Sequence, residues 1–313
     1  MYDLIRANKR NSWLLIFLCA LVLLGLAASI GLAASEGDPE AGIAFAILAI
    51  PLFFVLFMAS WFGGRRMVLS MSDARRIEHA DHPQLFNVVE EMAIAAGLPM
   101  PDVYIIEDSA PNAFATGRDP NHSAVAVTTG LLEKLDRNEL QGVIAHEMSH
   151  IRNYDIRFAL LMAVMVGTIA LISDAFLRGV FRGSGRRSSR KEGGGGHIIL
   201  LLIAILFALL APLIGKLIQL AVSRQREFLA DSSAAELTRY PEGLASALLK
   251  ISRDEEVLEV ANRATQHMYI VNPIKPFEDR AKALFSTHPP IEERVARLRS
   301  IAQQGEIRNP TQE

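Results

Sequence analysis

Two long apolar segments near the start of the chain restrict its possible folds more than any other feature. Residues 13–33 form an uncharged run of 21 residues, which as an α-helix is about 31 Å long and crosses the hydrocarbon core of a bilayer. A second apolar run, residues 41–62, follows after a short acidic turn and contains Pro51, which membrane helices tolerate. A signal peptide is the rival explanation of the first run, but its apolar core is typically only about 7–15 residues long. We therefore predict a hairpin of two transmembrane helices.

The charges that flank this hairpin predict its orientation. Arg6, Lys9 and Arg10 precede the first run, and Arg65 and Arg66 follow the second, whereas the connecting turn carries only acidic charges. Basic residues are retained on the cytoplasmic side of a membrane. The N-terminus and the chain that follows the hairpin are therefore predicted to lie in the cytoplasm.

The overall composition excludes several classes of protein. A hydrophobic content of 50% is too high for an ordinary soluble domain, which agrees with an integral membrane protein. The net charge of −2 argues against nucleic acid as the main partner. The single cysteine, Cys19, lies inside the first apolar run, so an intrachain disulfide is excluded.

A candidate metal-binding pattern lies in the segment ELQGVIAHEMSHIRNYD, from Glu139 to Asp155, whose apolar spacing predicts one helix. His146 and His150 are four residues apart, so both imidazoles project from one face and can share a metal ion. Glu147 is turned about 100° from His146 and can reach a water at that metal without being a ligand. This is the H-E-x-x-H arrangement of zinc hydrolases.

A second acidic pair lies downstream, on another helical pattern. Glu227 and Asp231 are four residues apart within SRQREFLADSSAAEL, residues 223–237. Catalytic zinc takes three protein ligands and keeps one open position, and His-His-Glu is one of the known sets. Asp231 is placed to hold a ligand imidazole by its other nitrogen. The two clusters together favour a metal site over two solvated helix surfaces.

Four stretches of the chain resemble the membrane-bound HtpX family of bacterial zinc metalloproteases and, more distantly, the CAAX prenyl proteases. In chain order they are PNAFATG (111–117), HEMSHIRNYD (146–155), SRQREFLADSSAAELT (223–238) and STHPPIEER (286–294). The resemblance covers nearly the whole chain, including its apolar segments.

The resemblance implies a zinc metalloendopeptidase with one Zn²⁺ per chain. His146, His150 and Glu227 would be the zinc ligands and Glu147 the general base. His288 would line the active site and stabilise the oxyanion of the transition state, although a turn histidine before a Pro-Pro helix start is an equal alternative. The resemblance also implies a role in membrane protein quality control.

The predicted fold is mainly α with a small β-sheet, in an integral membrane protein that carries a cytoplasmic, gluzincin-like zinc protease domain. The predicted elements after the hairpin are helices at 82–98, 242–265 and 291–301 and strands at 102–107 and 123–128. The predicted regions are a transmembrane hairpin (1–62), a first catalytic part (63–156), a second hydrophobic helix pair with a basic, Gly-rich insert (157–222) and a second catalytic part (223–313).

Substrate binding is predicted near Asn112, Ala113 and Phe114, together with the strand at 123–128. In zinc proteases of this kind an edge strand near the metal pairs with the extended backbone of the substrate. A merely structural hairpin is an equal alternative.

The second hydrophobic pair, residues 158–173 and 198–222, presents a conflict. Two spans keep both metal-binding clusters in one compartment, yet they place the strongly basic insert at 178–196 outside, against the positive-inside rule. Either the pair is a hairpin with a translocated basic loop, or its helices dip into the membrane and return; we expect four spans. His150 precedes this pair closely and Glu227 follows it closely, so the metal is expected near the membrane surface.

The sequence thus predicts hydrolysis of peptide bonds in membrane or misfolded proteins at the bilayer surface. An intramembrane protease of the site-2 type is disfavoured because Glu139, Gln141 and Arg152 lie on the metal-binding helix. A membrane di-iron oxidase needs more clustered histidines than the eight present. A non-catalytic membrane scaffold, whose metal site only joins helices, is the remaining alternative and requires a closed four-ligand site.

Overall fold

A computed structural model describes residues 2–35, 37–161, 224–254, 268–270 and 289–308. It also describes a few individual residues between 173 and 209, and residues 256 and 258. The predicted helix pair at 158–173 and 198–222 lies largely outside these residues, and His288 lies wholly outside them. The chain divides into two compact units, one of residues 1–9, 64–160 and 220–313 and the other of residues 10–63 and 161–219.

Both N-terminal apolar runs form helices, α1 (Tyr2–Ala34) and α2 (Pro39–Met71). Within the described part of the chain, two helical segments are long and apolar enough to cross a membrane: Ser12–Ala34, with a mean hydropathy of 2.7, and Pro39–Met71, with 2.6. Large apolar side chains such as Phe17, Ile43 and Leu48 are more than half exposed on them. Contiguous exposed apolar surface of this kind suits lipid rather than water.

The unit of residues 1–9, 64–160 and 220–313 contains a small mixed sheet. Its strands are β1 (Arg75–Arg76), β2 (Asp102–Ile106), β3 (Ala113–Gly117) and β4 (Ser123–Thr128). Their order is β1-β2-β4-β3, with β2 and β4 parallel and the other two pairs antiparallel. β3 is therefore an edge strand of the described sheet, and the alternating Ala-Val-Ala-Val pattern of β4 predicted that strand correctly. β4 pairs with β2 on one side and β3 on the other, so the prediction that the strand at 123–128 offers an edge to a substrate was wrong.

The helix with the H-E-x-x-H pattern is α5, Arg137–Arg152, which follows α3 (Pro83–Ala96) and α4 (Thr129–Lys134). Its start is fixed by a capping box, in which Asp136 and Glu139 accept hydrogen bonds from each other's backbone N–H groups. The prediction that one helix runs to Asp155 was wrong. Asn153 caps α5, and Tyr154 takes a left-handed conformation with φ of 61°, which interrupts the helix.

The remaining described helices are α6 (from residue 155, described to 161), α7 (224–238), α8 (Pro241–Arg253) and α9 (Ile291–Arg308). The predicted helix at 242–265 is too long, because α8 ends at Arg253 and Asp254 forms its cap. Asp254, which lies outside the helix, pairs with Lys134 at 2.7 Å. Acidic residues are also unfavourable at a helix C-terminus.

α5 lies in the centre of this unit, where it packs against α3, α8 and β3. Its closest neighbour is α8, because a Cβ added at Gly142 would lie 2.6 Å from the backbone nitrogen of Leu244. Glu139 reinforces the contact by accepting hydrogen bonds from Ser246 at 2.6 Å and Lys250 at 2.7 Å. Side chains of α5 such as Val143, Ile144 and Met148 are fully buried in the core. The helix that carries both histidines is thus held rigidly on several sides.

Candidate metal centre

Donor atoms of His146, His150 and Glu227 converge between α5 and α7, all within 4.8 Å of one another. The two Nε2 atoms are 3.1 Å apart, and the Glu227 carboxylate lies 3.7 Å from His146 Nε2 and 3.6 Å from His150 Nε2. A tetrahedral ion with ligands at about 2.0–2.1 Å separates its donors by about 3.3 Å. The three groups are therefore spaced as ligands of one metal ion are.

Each imidazole is held from behind by a carboxylate. His146 Nδ1 lies 3.0 Å from Oδ1 of Asp231, the residue proposed from the sequence for this position, and His150 Nδ1 lies 3.0 Å from Asp155 Oδ2. With Nδ1 donating to a carboxylate, the neutral form of each imidazole directs the lone pair of Nε2 forward. This carboxylate–histidine arrangement is the usual outer support of metal-binding histidines.

Sequence reasoning missed Asp155, although the quoted HEMSHIRNYD stretch contains it. In a continuous helix a residue five positions after His150 would be turned about 140° away from it. The left-handed turn at Tyr154 ends α5 and restarts the chain as α6, which brings the Asp155 side chain back to His150. The helix interruption is thus what completes the support of the second histidine.

The charges of the site fit a divalent cation. Glu147, Asp155, Glu227 and Asp231 are all at least 94% buried, and two guanidinium groups lie beside these carboxylates. Arg294, fully buried on α9, contacts Asp231 and Glu227, whereas Arg226 on α7 lies 3.4 Å from Asp155. When these groups are all ionised and both histidines are neutral, as metal binding requires, four carboxylates and two guanidinium groups leave two negative charges. A divalent ion neutralises this buried charge, which is otherwise costly. (Sequence reasoning had assigned no role to either arginine.)

Glu147 is buried next to the three donors, turned away from them on α5. The backbone N–H of Ala115, on the edge strand β3, hydrogen-bonds to its carboxylate. Burial and the nearby charge of Glu227 raise the pKa of Glu147 to about 7, against the opposing effects of His150, Arg294 and that N–H. A carboxylate with a pKa near neutrality can both accept and return a proton, as a general base must.

The two histidines have opposite pKa shifts. Burial, with the positive charges of Arg294 and His150, lowers the pKa of His146 against the influence of Asp231. Burial also opposes charge on His150, but its hydrogen bond to Asp155 and the charge of Glu227 raise its pKa to about 9. One proton is therefore shared by the pair at neutral pH, and it resides on His150.

Comparison with known proteins agrees with this geometry. The model of peptidase family M48 matches residues 79–302, which include every residue of the candidate centre. The chain belongs to peptidase family M48. Its relatives include proteins named protease HtpX homolog from Dictyoglomus thermophilum, 45% identical over 98% of this chain and 96% of that protein, and from Tropheryma whipplei, 43% identical over 97% and 99%. The resemblance recognised from the motifs is confirmed.

The M48 chain also shares its fold with a solved structure. The crystal structure of S. mikatae Ste24p aligns with a TM-score of 0.50 and 20% sequence identity, covering 95% of this chain and 67% of that one. At this identity the likeness concerns the fold alone.

The predicted substrate segment of this M48 chain lies on the edge strand beside Glu147. Asn112, Ala113 and Phe114 are buried, with at most 4% exposure. The carbonyl of Ala113 accepts a hydrogen bond from the backbone N–H of Ile270 at 2.9 Å, and the ring of Phe114 packs edge-on against Tyr269. The segment 268–270 therefore covers the outer edge of β3 at Ala113 and Phe114, where the strand begins.

Proposed function

We propose that this chain is a zinc-dependent, membrane-bound endopeptidase that hydrolyses peptide bonds of membrane or misfolded proteins. The observation that carries the proposal is the convergence of His146, His150 and Glu227. Two imidazoles and one carboxylate are a known ligand set of catalytic zinc. Membership of peptidase family M48 supports peptide-bond hydrolysis as the reaction.

The proposed ligands of a single zinc ion are Nε2 of His146, Nε2 of His150 and the carboxylate of Glu227. When bound, zinc supplies Lewis acidity that polarises a carbonyl and acidifies water. Asp231 and Asp155 accept hydrogen bonds from the Nδ1 atoms and so keep both Nε2 atoms directed at the ion. Three protein ligands would leave room for a water beside the ion, which a hydrolytic site requires.

Glu147 is the proposed general base. Its carboxylate accepts a proton from the attacking water and afterwards donates that proton to the nitrogen of the leaving amine. The N–H of Ala115 holds the carboxylate in place, and burial keeps its pKa near neutrality. His288 is proposed to stabilise the oxyanion, on the basis of the family resemblance.

Strand addition to β3 is the proposed mode of substrate binding, with Asn112, Ala113 and Phe114 in the binding segment. Two facts support this position. β3 is at the edge of the described sheet, and its residue Ala115 contacts the proposed base. Because Ile270 already bonds to Ala113 on this edge, a substrate backbone would have to displace the segment 268–270 or pair with β3 beyond it. In either case the substrate would lie next to the group that activates water.

The proposed location is the bacterial inner membrane, with several spans and a gluzincin-like catalytic domain on the cytoplasmic side. The two apolar helices and their basic flanks support this topology. His150 precedes the segment 158–173 and Glu227 follows 198–222, which supports a metal close to the bilayer and membrane proteins as substrates. Membrane protein quality control is the proposed role.

Removal of the metal is expected to abolish proteolysis. The purified protein in detergent should lose cleavage of an unfolded casein probe after treatment with 1,10-phenanthroline and dialysis, because the remaining residues supply no Lewis acid. One equivalent of zinc should restore it, while magnesium, which prefers oxygen ligands, should not. Undiminished cleavage by the stripped protein would contradict the proposal. Zinc that binds without any cleavage would favour the scaffold with a structural metal.

Zinc binding is expected to strengthen as the pH rises. A metal at Nε2 of His150 must displace the proton that its pKa of about 9 retains. The apparent affinity should therefore increase roughly tenfold per pH unit below that pKa and level off above it. Isothermal titration of stripped protein with zinc, in buffers of different ionisation enthalpy, measures the released proton. Equal zinc affinity at about pH 6.5 and pH 8.5 would show that zinc displaces no proton from His150.

A further inference from the structure

Arg294 is the largest fully buried side chain among the described residues, with 0% exposure. It extends from the first turn of α9 and ends the STHPPIEER stretch, yet the proposed hydrolysis gives it no part. A buried guanidinium is costly unless carboxylates and carbonyls satisfy its N–H groups. Its partners therefore indicate what it does.

The guanidinium contacts two acidic groups of the metal centre. Nε and Nη2 donate to the two oxygens of Asp231 at 2.9 and 2.7 Å, a bidentate pair with defined geometry. Nη1 lies 3.3 Å from Oε2 of Glu227 and donates to the carbonyl of Ile270 at 3.1 Å. One side chain thus contacts the carboxylate behind His146 and a proposed zinc ligand.

The other histidine has a weaker counterpart of this arrangement. Arg226 Nε lies 3.4 Å from Oδ1 of Asp155, whose second oxygen supports His150. This single long contact lacks the two short hydrogen bonds of the Arg294–Asp231 pair. The centre therefore contains two histidine–aspartate–arginine chains, of which the one through Arg294 is the better defined.

We propose that Arg294 is a positioning residue of the metal centre. It fixes the carboxylate of Asp231 behind His146 and orients Glu227, so that two of the three ligands are in place before zinc arrives. It also offsets the charge that these buried carboxylates would accumulate without it. Because α9 supplies this side chain, docking of α9 completes the zinc site. The inference rests on the proposed zinc site and adds to it a determinant of zinc affinity.

The test compares Arg294→Lys with Arg299→Lys in the full-length protein in detergent. Arg299 is on the same helix and forms a similar bidentate pair, with exposed Glu242, so it is a matched control. Zinc affinity is measured by competition with a chromogenic chelator, and ligand geometry by the visible spectrum of the cobalt-substituted protein. Lysine keeps the charge but cannot bridge two oxygens in a fork. We expect Arg294→Lys to weaken zinc roughly 10–100-fold and to alter the cobalt spectrum, and Arg299→Lys to do neither.

A double-mutant cycle separates positioning from a general loss of folding. If Arg294 acts through Asp231, the double variant Arg294→Lys/Asp231→Asn should bind zinc about as weakly as Asp231→Asn alone. Additive losses, or zinc affinity and cobalt spectrum of Arg294→Lys equal to those of the unaltered protein, would overturn the inference while leaving the zinc site in place. Absence of zinc binding by the unaltered protein would instead refute the proposed function and, with it, this inference.

Discussion

Glu147→Gln is expected to abolish proteolysis while zinc remains bound. Glutamine has the shape of glutamate and can still accept the hydrogen bond from the Ala115 N–H, but it cannot take a proton from water at neutral pH. General-base catalysis contributes about 10²–10⁴-fold, so kcat should fall by at least that factor. Cleavage of a membrane protein substrate in detergent, measured together with zinc content, checks the prediction.

Glu133→Gln is a suitable control for this variant. Glu133 is exposed on α4, so its loss should leave both zinc and activity unchanged. Cleavage by Glu147→Gln at the rate of the unaltered protein would reject the mechanism. Loss of zinc in the same variant would show instead that Glu147 contributes to the metal site.

Glu227→Gln is expected to lose zinc and, as a consequence, activity. The carboxylate lies 3.6–3.7 Å from both histidine Nε2 atoms, and a neutral amide oxygen is a much poorer zinc ligand. Removal of an outer partner of a ligand typically costs about 10–100-fold in metal affinity, and loss of a ligand itself should cost more. Zinc should therefore bind most tightly to the unaltered protein, less tightly to Asp231→Asn and least tightly to Glu227→Gln. Competition with a chelator measures these three affinities.

The control for this series is on the same helix. Glu236 is exposed near the C-terminal end of α7, so Glu236→Gln should bind zinc like the unaltered protein. Full retention of tightly bound zinc by Glu227→Gln would remove Glu227 from the ligand set.

Local sequence patterns predicted the parts of the structure that depend on near neighbours. Helical spacing placed His146 and His150 on one face. Alternation located β4, and the helix predicted at 82–98 is found as α3, Pro83–Ala96. The apolar runs gave two helices of sufficient length to span a membrane.

Features that depend on distant contacts were not accessible in this way. Asp155 reaches His150 only because Tyr154 interrupts the helix, and helical spacing alone predicts the opposite. Arg294 meets Asp231 across 63 residues of chain, for which no spacing rule exists. The apolar periodicity beyond Arg253 suggested a longer helix. In the structure α8 ends at Arg253, and the next residue, Asp254, pairs with the distant Lys134. The chemistry of known zinc ligand sets, together with the family resemblance, joined the histidine pair to Glu227; periodicity alone could not.

X-ray absorption spectroscopy at the zinc edge, on the unaltered protein purified in detergent, tests the ligand assignment most directly. One zinc per chain is expected, with two imidazole nitrogens at about 2.0–2.1 Å, one or two carboxylate or water oxygens and no sulfur. A closed shell of four protein ligands, a sulfur ligand, or no zinc at all would contradict a hydrolytic centre formed by His146, His150 and Glu227.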